Sequence, residues 1–267
     1  MPGAMGSLHS WWNSFWQPVK RFIAVSGYLY QVRNDPALRQ VMRCYIHWLP
    51  LNLFSEPALW LRQLLGTRNR YRVGNQRPYD IYVPHLQATP FPVSPAYSQR
   101  LESRWREIHA EYLAIADREG PPLNPAHVRA GRWGTFDLIA MRHRDDTHAV
   151  QCPVTMQTVN ELPLMDRVTF SSFAPGTELR PHFGPTNIGL RHQLCLEGAE
   201  GARIRVGGEW RSWQDGKCLV IDDSFEHEVA HAGDRRRVAL LVDCWHPDLT
   251  LREREFLLEL YRVWQVG

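Results

Sequence analysis

Two histidines stand where strand ends could bring them together. His182 lies in Arg180-Pro181-His182-Phe183-Gly184-Pro185-Thr186-Asn187, a turn-rich segment between two predicted strands. His227 lies in Asp222-Asp223-Ser224-Phe225-Glu226-His227-Glu228, just after the hydrophobic strand Cys218–Ile221. Strand ends converge at the mouth of a barrel or jelly roll even when a long stretch of chain separates them. Neutral imidazole is a good ligand for iron, zinc or copper. Spacing alone does not make a metal site. The chain has 12 His, and His192 and His231 are further candidates, so satisfied loop or core histidines remain an open reading.

A second cluster carries similar residue types with less promise. His143, Asp145, Asp146 and His148 crowd together, but Arg142 and Arg144 beside them would repel a cation and no helix or strand phase is evident. This stretch is expected to be a solvated loop. His246, before Pro247, reads as part of a structural turn.

The elements that must position these residues change character along the chain. Asp35-Pro36 reads as an N-cap and first helical turn, with Leu38, Val41, Met42 and Tyr45 on one face. The polar, basic stretch 68–82 reads as a connecting loop. Ser94-Pro95 opens a helix in which Leu101, Trp105, Ile108, Tyr112 and Ile115 form the buried face, with Glu102 and Arg106 one turn apart on the charged side. Gly120, Pro121 and Pro122 end it. From about Trp133 short strands take over, predicted at 167–173, 188–196, 202–206, 209–213, 217–221 and 238–245. Gly207-Gly208 marks a hairpin. Many short strands without intervening helices indicate a sandwich, barrel or jelly roll. A last helix follows a capping box of Thr250 and Glu253, with Phe256, Leu257, Leu260 and Tyr261 on its apolar face.

Composition narrows the function classes. The chain has 267 residues, 44% hydrophobic and 22% charged, the balance of a globular protein. A formal charge of +3 is too small to argue for nucleic acid, and none is expected as a partner. The five Cys are odd in number and lack CxxC spacing, which points to a reducing, cytoplasmic compartment. No stretch reads as a transmembrane span. The Trp-rich segment 11–23 is expected to dock on the domain, with peripheral membrane contact as its alternative. Residues 1–7 read as a cloning remnant and carry no fold information.

Longer blocks carry a family resemblance. The segments Phe170-Ser171-Ser172-Phe173-Ala174-Pro175-Gly176-Thr177, Pro181-His182-Phe183-Gly184-Pro185-Thr186-Asn187 with Leu190-Arg191, Asp222-Asp223-Ser224-Phe225-Glu226-His227-Glu228-Val229 and Val242-Asp243-Cys244-Trp245-His246-Pro247-Asp248-Leu249 resemble the aspartyl/asparaginyl β-hydroxylase family. Looser matches extend the resemblance over roughly residues 80–255. It implies a mainly β, double-stranded β-helix fold (a cupin-like jelly roll), here with flanking N-terminal and C-terminal helices. Residues 1–79 would be a helical or irregular extension and 80–267 the oxygenase domain. It also implies Fe(II), with 2-oxoglutarate and O₂ as co-substrates.

Carried over by position, His182 and His227 resemble the iron ligands. Arg237 and Ser171 resemble the groups that hold the distal carboxylate of 2-oxoglutarate, Arg191 a contact to its other carboxylate, and Trp133 part of the same pocket. Without the resemblance, Arg235-Arg236-Arg237 would read as a solvated charge run, Ser171 as an ordinary strand serine and Trp133 as a core aromatic. A guanidinium suits a dicarboxylate because it is planar, always charged and two-pronged.

Two positions depart from common patterns. Gly184 stands where many non-haem oxygenases, the related lipid A hydroxylases among them, carry a metal-binding acid; the β-hydroxylase branch also lacks it. Gln193 stands where the family usually has His. Asp223 is expected to orient a ligand imidazole or bound water, with turn capping as its alternative, and Asp243 to be structural. The expected substrate is amino-acid-like, free or carrier-bound, with a peptide or protein side chain next. Rival readings are a cupin-like metal-binding protein without 2-oxoglutarate turnover and a zinc hydrolase.

Overall fold

The computed structural model describes residues 27–28, 30–38, 75–78, 82–83 and 85–266, with side chains to 260. The Trp-rich segment 11–23, the helical face beyond Leu38 and the domain boundary expected at 79/80 lie outside the described residues.

Eleven described strands follow in order: β1 Val128–Ala130, β2 Trp133–Ala140, β3 His143–Arg144, β4 Leu164–Phe173, β5 Glu178–His182, β6 Gly189–Glu197, β7 Ala202–Val206, β8 Glu209–Ser212, β9 Cys218–Ile221, β10 His227–His231 and β11 Arg237–Trp245. They form two sheets, ordered β3-β2-β4-β11-β6-β9 and β1-β5-β10-β7-β8. The pairings are antiparallel. From β4 to β11 the chain passes repeatedly between the two sheets. That winding is a double-stranded β-helix, the jelly roll.

Two apolar layers follow from strand alternation. On β11, Val238, Leu240, Val242 and Cys244 pack outward against Leu101, Ile108 and Tyr112 of helices α1 (Ser98–Ser103) and α2 (Trp105–Ile115). Two further helices are α3 (Asp146–Ala149) and α4 (Pro153–Val159), and Met156 and Val159 of α4 join this layer. The opposite phase of the six-stranded sheet faces the five-stranded sheet, where Phe173, Cys195 and Ile221 meet Leu179, Ile204, Val206 and Val229. Arg237, Gln193, Arg191, Asp243 and Ser171 occupy this inner phase, and all but the half-buried Arg191 are buried. A sheet face turned to a core should be apolar, so this polar inner face is what the fold spends on a site.

Local signals fared unevenly. The Gly207-Gly208 turn joins β7 to β8 with φ of 59° and 103°, the left-handed backbone such a two-residue hairpin needs. The predicted helix begins at Ser98, three residues late, because Pro95 and Ala96 close turns onto the amides of Ser98 and Gln99 instead. It breaks at Arg104, and Glu102 turns away from Arg106 to hold Lys217 Nζ at 2.8 Å and the Cys218 amide at 3.0 Å. Gly120 is not a left-handed cap: it pairs with Thr135 by a β-bridge. The stretch at 143–148 is not a loop but β3 and α3, with Asp145 capping the amides of Thr147 and His148.

A separate compact unit groups the described residues 27–28, 30–38, 82–83, 85 and 247–266. Its helix α5 (Leu251–Val266) starts at the expected capping box: Glu253 accepts from the Thr250 amide at 2.9 Å, and Thr250 Oγ1 accepts from the Glu253 amide at 3.2 Å. Tyr28 stacks on Phe256 at 5.7 Å, and Asp35 pairs with Arg252 at 2.9 Å. Asp35 also accepts from the Ala37 amide, as an N-cap does. Among the described residues no helix is long and apolar enough to cross a membrane.

Candidate active site

His182 is the last residue of β5 and His227 the first of β10, and the two are partners in the ladder. Their ring centroids lie 4.0 Å apart. Each Nδ1 meets a backbone carbonyl two residues back, Arg180 O at 2.7 Å and Phe225 O at 3.0 Å. A carbonyl only accepts, so each Nδ1 carries the proton and each Nε2 keeps its lone pair. Burial disfavours the charged ring. It lowers the pKa of His182 to about 4 and that of His227 well below the usual value. Two neutral imidazoles with fixed tautomers therefore stand side by side.

A third ring was not foreseen. His127, in the 3₁₀ turn Pro125–His127, lies 3.9 Å from His182, centroid to centroid. Its Nε2 accepts from Asn124 Nδ2 at 3.1 Å, and Asn124 Oδ1 accepts from the Ala126 amide, which fixes the amide's orientation. That lone pair is thus spent within the turn. Among the described residues no group of three or more His, Cys, Asp or Glu is arranged to hold a metal ion. Only Asn124-Pro125 hinted at a local turn; nothing in the sequence signalled its neighbour.

Asp223 lies against Gly184. A Cβ built on Gly184 would meet Asp223 Cγ at 2.5 Å and Oδ2 at 2.8 Å. The carboxylate therefore fills the space that a side chain at 184 would need. Gly184→Ala should cost about 1–3 kcal/mol from overpacking. In the Gly184→Ala/Asp223→Ala double variant the cost should fall short of the sum of the singles, since the clash needs both groups. Urea denaturation of the four proteins measures this; strict additivity would refute the contact.

Arg191 is already engaged within the protein. Its Nε and Nη2 donate to Asp243 at 2.7 and 2.9 Å, and Nη1 lies 3.1 Å from Asp223 Oδ2. Asp243 and Asp223 hold the guanidinium in its charged form against burial. Burial nonetheless pushes the carboxyl of Asp223 up to about 6, with Arg191 opposing. Asp222 is pushed to about 7, chiefly by burial, although it accepts from Ser224 and Gln76.

At Arg237 the balance is reversed. The guanidinium is 1% exposed, and Nη2 donates to Gln193 Oε1 at 3.1 Å. Nε has no partner, and no carboxylate among the described residues forms an ion pair with it. Trp213 lies 3.9 Å beneath it, and burial lowers its pKa to about 10. Nearby on the same inner phase, Ser171 Oγ accepts from Trp133 Nε1 at 2.9 Å, leaving its own hydroxyl proton to donate. Gln193 here acts as an acceptor toward Arg237.

Four other described histidines are held by contacts within the fold. His192 is fully buried on the outer phase of β6, with Ser98 Oγ at 3.0 Å from Nδ1. His231 Nε2 meets Arg235 O at 2.6 Å, His246 meets Gln87 O at 3.1 Å and His148 meets Asp137 O at 2.8 Å. Burial lowers the His192 pKa from 6.5 to about 4. Its contribution is therefore complete above pH 6.5 and lost as pH falls toward 4. The gap is worth about 3 kcal/mol. His192→Gln should flatten the loss of stability between pH 7 and pH 4.5; an unchanged slope in urea titrations would exclude it as a source.

These features define a double-stranded β-helix protein with a histidine pair and a buried, uncompensated arginine on its inner face. The family profile described as "Aspartyl/Asparaginyl beta-hydroxylase" matches residues 102–247, and the chain belongs to that family. Human aspartyl/asparaginyl beta-hydroxylase is 35% identical over 166 residues, covering 59% of this chain and 22% of that protein. Rat aspartate beta-hydroxylase domain-containing protein 2 is 32% identical over 203 residues, covering 68% and 58%. Human aspartate beta-hydroxylase domain-containing protein 1 is 33% identical over 211 residues, covering 69% and 52%. The chain thus spans between 22% and 58% of these relatives' lengths. Among solved structures, a prolyl-4-hydroxylase from Pseudomonas putida aligns at TM-score 0.37 and 17% identity, over 54% of this chain and 87% of that one.

Proposed function

We propose that this chain is an Fe(II)- and 2-oxoglutarate-dependent hydroxylase acting on an amino-acid-like substrate. The observation that carries the reading is the unpaired Arg237. A buried guanidinium without a carboxylate is costly, and a bound dicarboxylate would supply the missing anion. The unpartnered Nε and the free Ser171 proton fit an oxygen-rich anion at that end. His182 and His227 would hold the metal through Nε2, the carbonyls of Arg180 and Phe225 fixing their orientation as outer partners of metal-bound His do.

Bound iron and 2-oxoglutarate would supply the oxidising chemistry, with succinate and CO₂ as by-products. The protein's own residues place, neutralise and exclude. Asp223 presents a carboxylate where Gly184 has no side chain, and can accept a hydrogen bond from a metal-bound water. Arg191 holds Asp223 and Asp243 in position and keeps further N–H donors for a ligand carboxylate.

Anaerobic protein with Fe(II) and 2-oxoglutarate should develop a visible charge-transfer band, and O₂ should then release succinate. A metal-binding jelly roll without turnover would show neither. A zinc hydrolase would lose activity on metal exchange and not on removal of 2-oxoglutarate.

A further inference from the structure

His127 differs from the two other rings at the site in which nitrogen it has already used. It lies 3.9 Å from His182, and His182 lies 4.0 Å from His227, centroid to centroid. The turn that carries His127 is fixed at both ends. Asn124 caps it, Pro125 takes its first position, and the His127 amide donates to Asn124 O at 3.1 Å. The next residue, Val128, opens β1 and pairs with Leu179 of β5, the strand that ends at His182. The ring is therefore placed by a capped turn and a sheet, which hold a site more firmly than a free loop does.

Hydrogen bonds within the turn decide where its proton sits. Asn124 Oδ1 accepts from the Ala126 amide at 3.0 Å, which leaves Asn124 Nδ2 facing His127 Nε2 at 3.1 Å. An amide nitrogen only donates, so Nε2 accepts and the ring proton is on Nδ1. His182 and His227 also carry their protons on Nδ1, but the carbonyls of Arg180 and Phe225 accept those. What each of that pair has to spare is a lone pair. What His127 has to spare is an N–H. That N–H has no partner among the described residues, and it is not sealed inside the protein. The ring itself is half-buried.

The geometry points to His127 as a specificity-determining residue, whose Nδ1–H donates to a carbonyl or carboxylate oxygen on the substrate's side chain. A ring packed on His182 reaches the part of a substrate that lies beside the histidine pair, which is the reacting end. An oxygen there replaces the water that the N–H gives up. A hydrocarbon of the same shape strips that water and returns nothing, so the donor selects against it. The inference deepens the proposed function and rests on it for the chemistry at His182 and His227. The position of the His127 proton does not depend on that reading.

The test uses the full chain with Zn(II) and N-oxalylglycine present. Three probes are titrated calorimetrically: N-acetyl-L-asparaginamide, the α-amide of N-acetyl-L-aspartate, and N-acetyl-L-leucinamide. The third has nearly the same side-chain shape without the oxygen. One or both of the oxygen-bearing probes should bind about tenfold or more tightly than the leucine probe. The tighter of the two tells a carboxamide from a carboxylate. His127→Phe keeps a ring beside His182 and should erase the preference, while His127→Gln offers an N–H and should keep part of it. Both variants should retain the Zn(II)-induced rise in Tm. Proton–nitrogen correlation spectra of histidine-labelled protein should show the His127 proton on Nδ1, shifted when the preferred probe is added. A proton on Nε2 instead, equal binding of the three probes, no binding by any of them, or a preference that survives His127→Phe overturns the assignment. A missing Zn(II)-induced rise in the unsubstituted chain would instead sink the metal-site reading, with the Nδ1 proton still in place.

Discussion

His227→Ala and His182→Ala will each abolish turnover, lowering kcat/KM on the order of 10³-fold or more, while the purified proteins remain folded. The magnitude follows from the several kcal/mol that metal chemistry supplies, at about 1.4 kcal/mol per tenfold. With two imidazoles as the only ligand candidates the described residues bring together, loss of either leaves one donor, too few for stable binding. The readout need not be activity. A metal that binds only the native state raises the unfolding midpoint by mass action. Fe(II) under anaerobic conditions, or Zn(II), should therefore raise Tm of the unsubstituted chain and leave both variants unchanged. His127→Ala, by contrast, should retain the metal-induced shift, because its Nε2 lone pair is engaged by Asn124. A full Tm shift in His182→Ala or His227→Ala would refute the ligand assignment.

Arg237→Met will separate stability from function in opposite directions. Dependence on 2-oxoglutarate should weaken about 100-fold or more, since the variant loses a charged, multi-donor contact to a buried carboxylate. The ligand-free protein should become more stable, by about 1–3 kcal/mol. The native guanidinium is 1% exposed, bonded to the neutral Gln193 and close to Cys195, with no carboxylate partner among the described residues, and burial already drives its pKa down to about 10. Replacing a desolvated, uncompensated charge with an apolar side chain of similar length removes that cost. Met can also lie on Trp213, where the guanidinium now sits at 3.9 Å. Urea denaturation without ligands, paired with a 2-oxoglutarate titration of the Fe(II) absorption band, measures both arms. A destabilised variant with unchanged co-substrate binding would mean that Arg237 is a structural core residue.

The two predictions rest on residues of different legibility. His182 and His227 could be singled out from their turn-rich settings, and the Asp223-to-Glu228 block from its resemblance. Arg237, read alone, looked like one of three basic residues facing water. Its neighbours divide as strand alternation requires: Arg236 lies 4.0 Å from Glu197 on the outside, and Arg237 turns inward. The apolar run Val238–Val242 was a usable clue, because a residue opening a strand buried on both faces has one chance in two of pointing into the core.

Where the sequence fell short, the deciding contacts were distant ones. The strand β5 was read as a turn because Pro181 and Gly184 surround His182, yet β10 supplies the missing ladder. Arg191 was expected to contact a carboxylate of the co-substrate; the sequence did not show that the register across β6 and β11 also sets Asp243 beside it. The stretch 143–148 is largely exposed, as expected, but it is not irregular: β2 pairs with β3 and Asp145 caps a helical turn.

What the residues themselves determined was local: the hairpin at Gly207-Gly208, the Thr250/Glu253 capping box, the buried apolar face of α1 and α2 and the two histidine-bearing blocks. Each depends on φ preferences, caps or side-chain periodicity within a few positions of chain. What only the tertiary structure decided was which polar groups meet. The 4.0 Å between two imidazoles, the carboxylate lodged against Gly184 and the arginine left without an anion all follow from strand register between segments far apart in the chain. A slip of one residue would turn every one of those side chains to the other face.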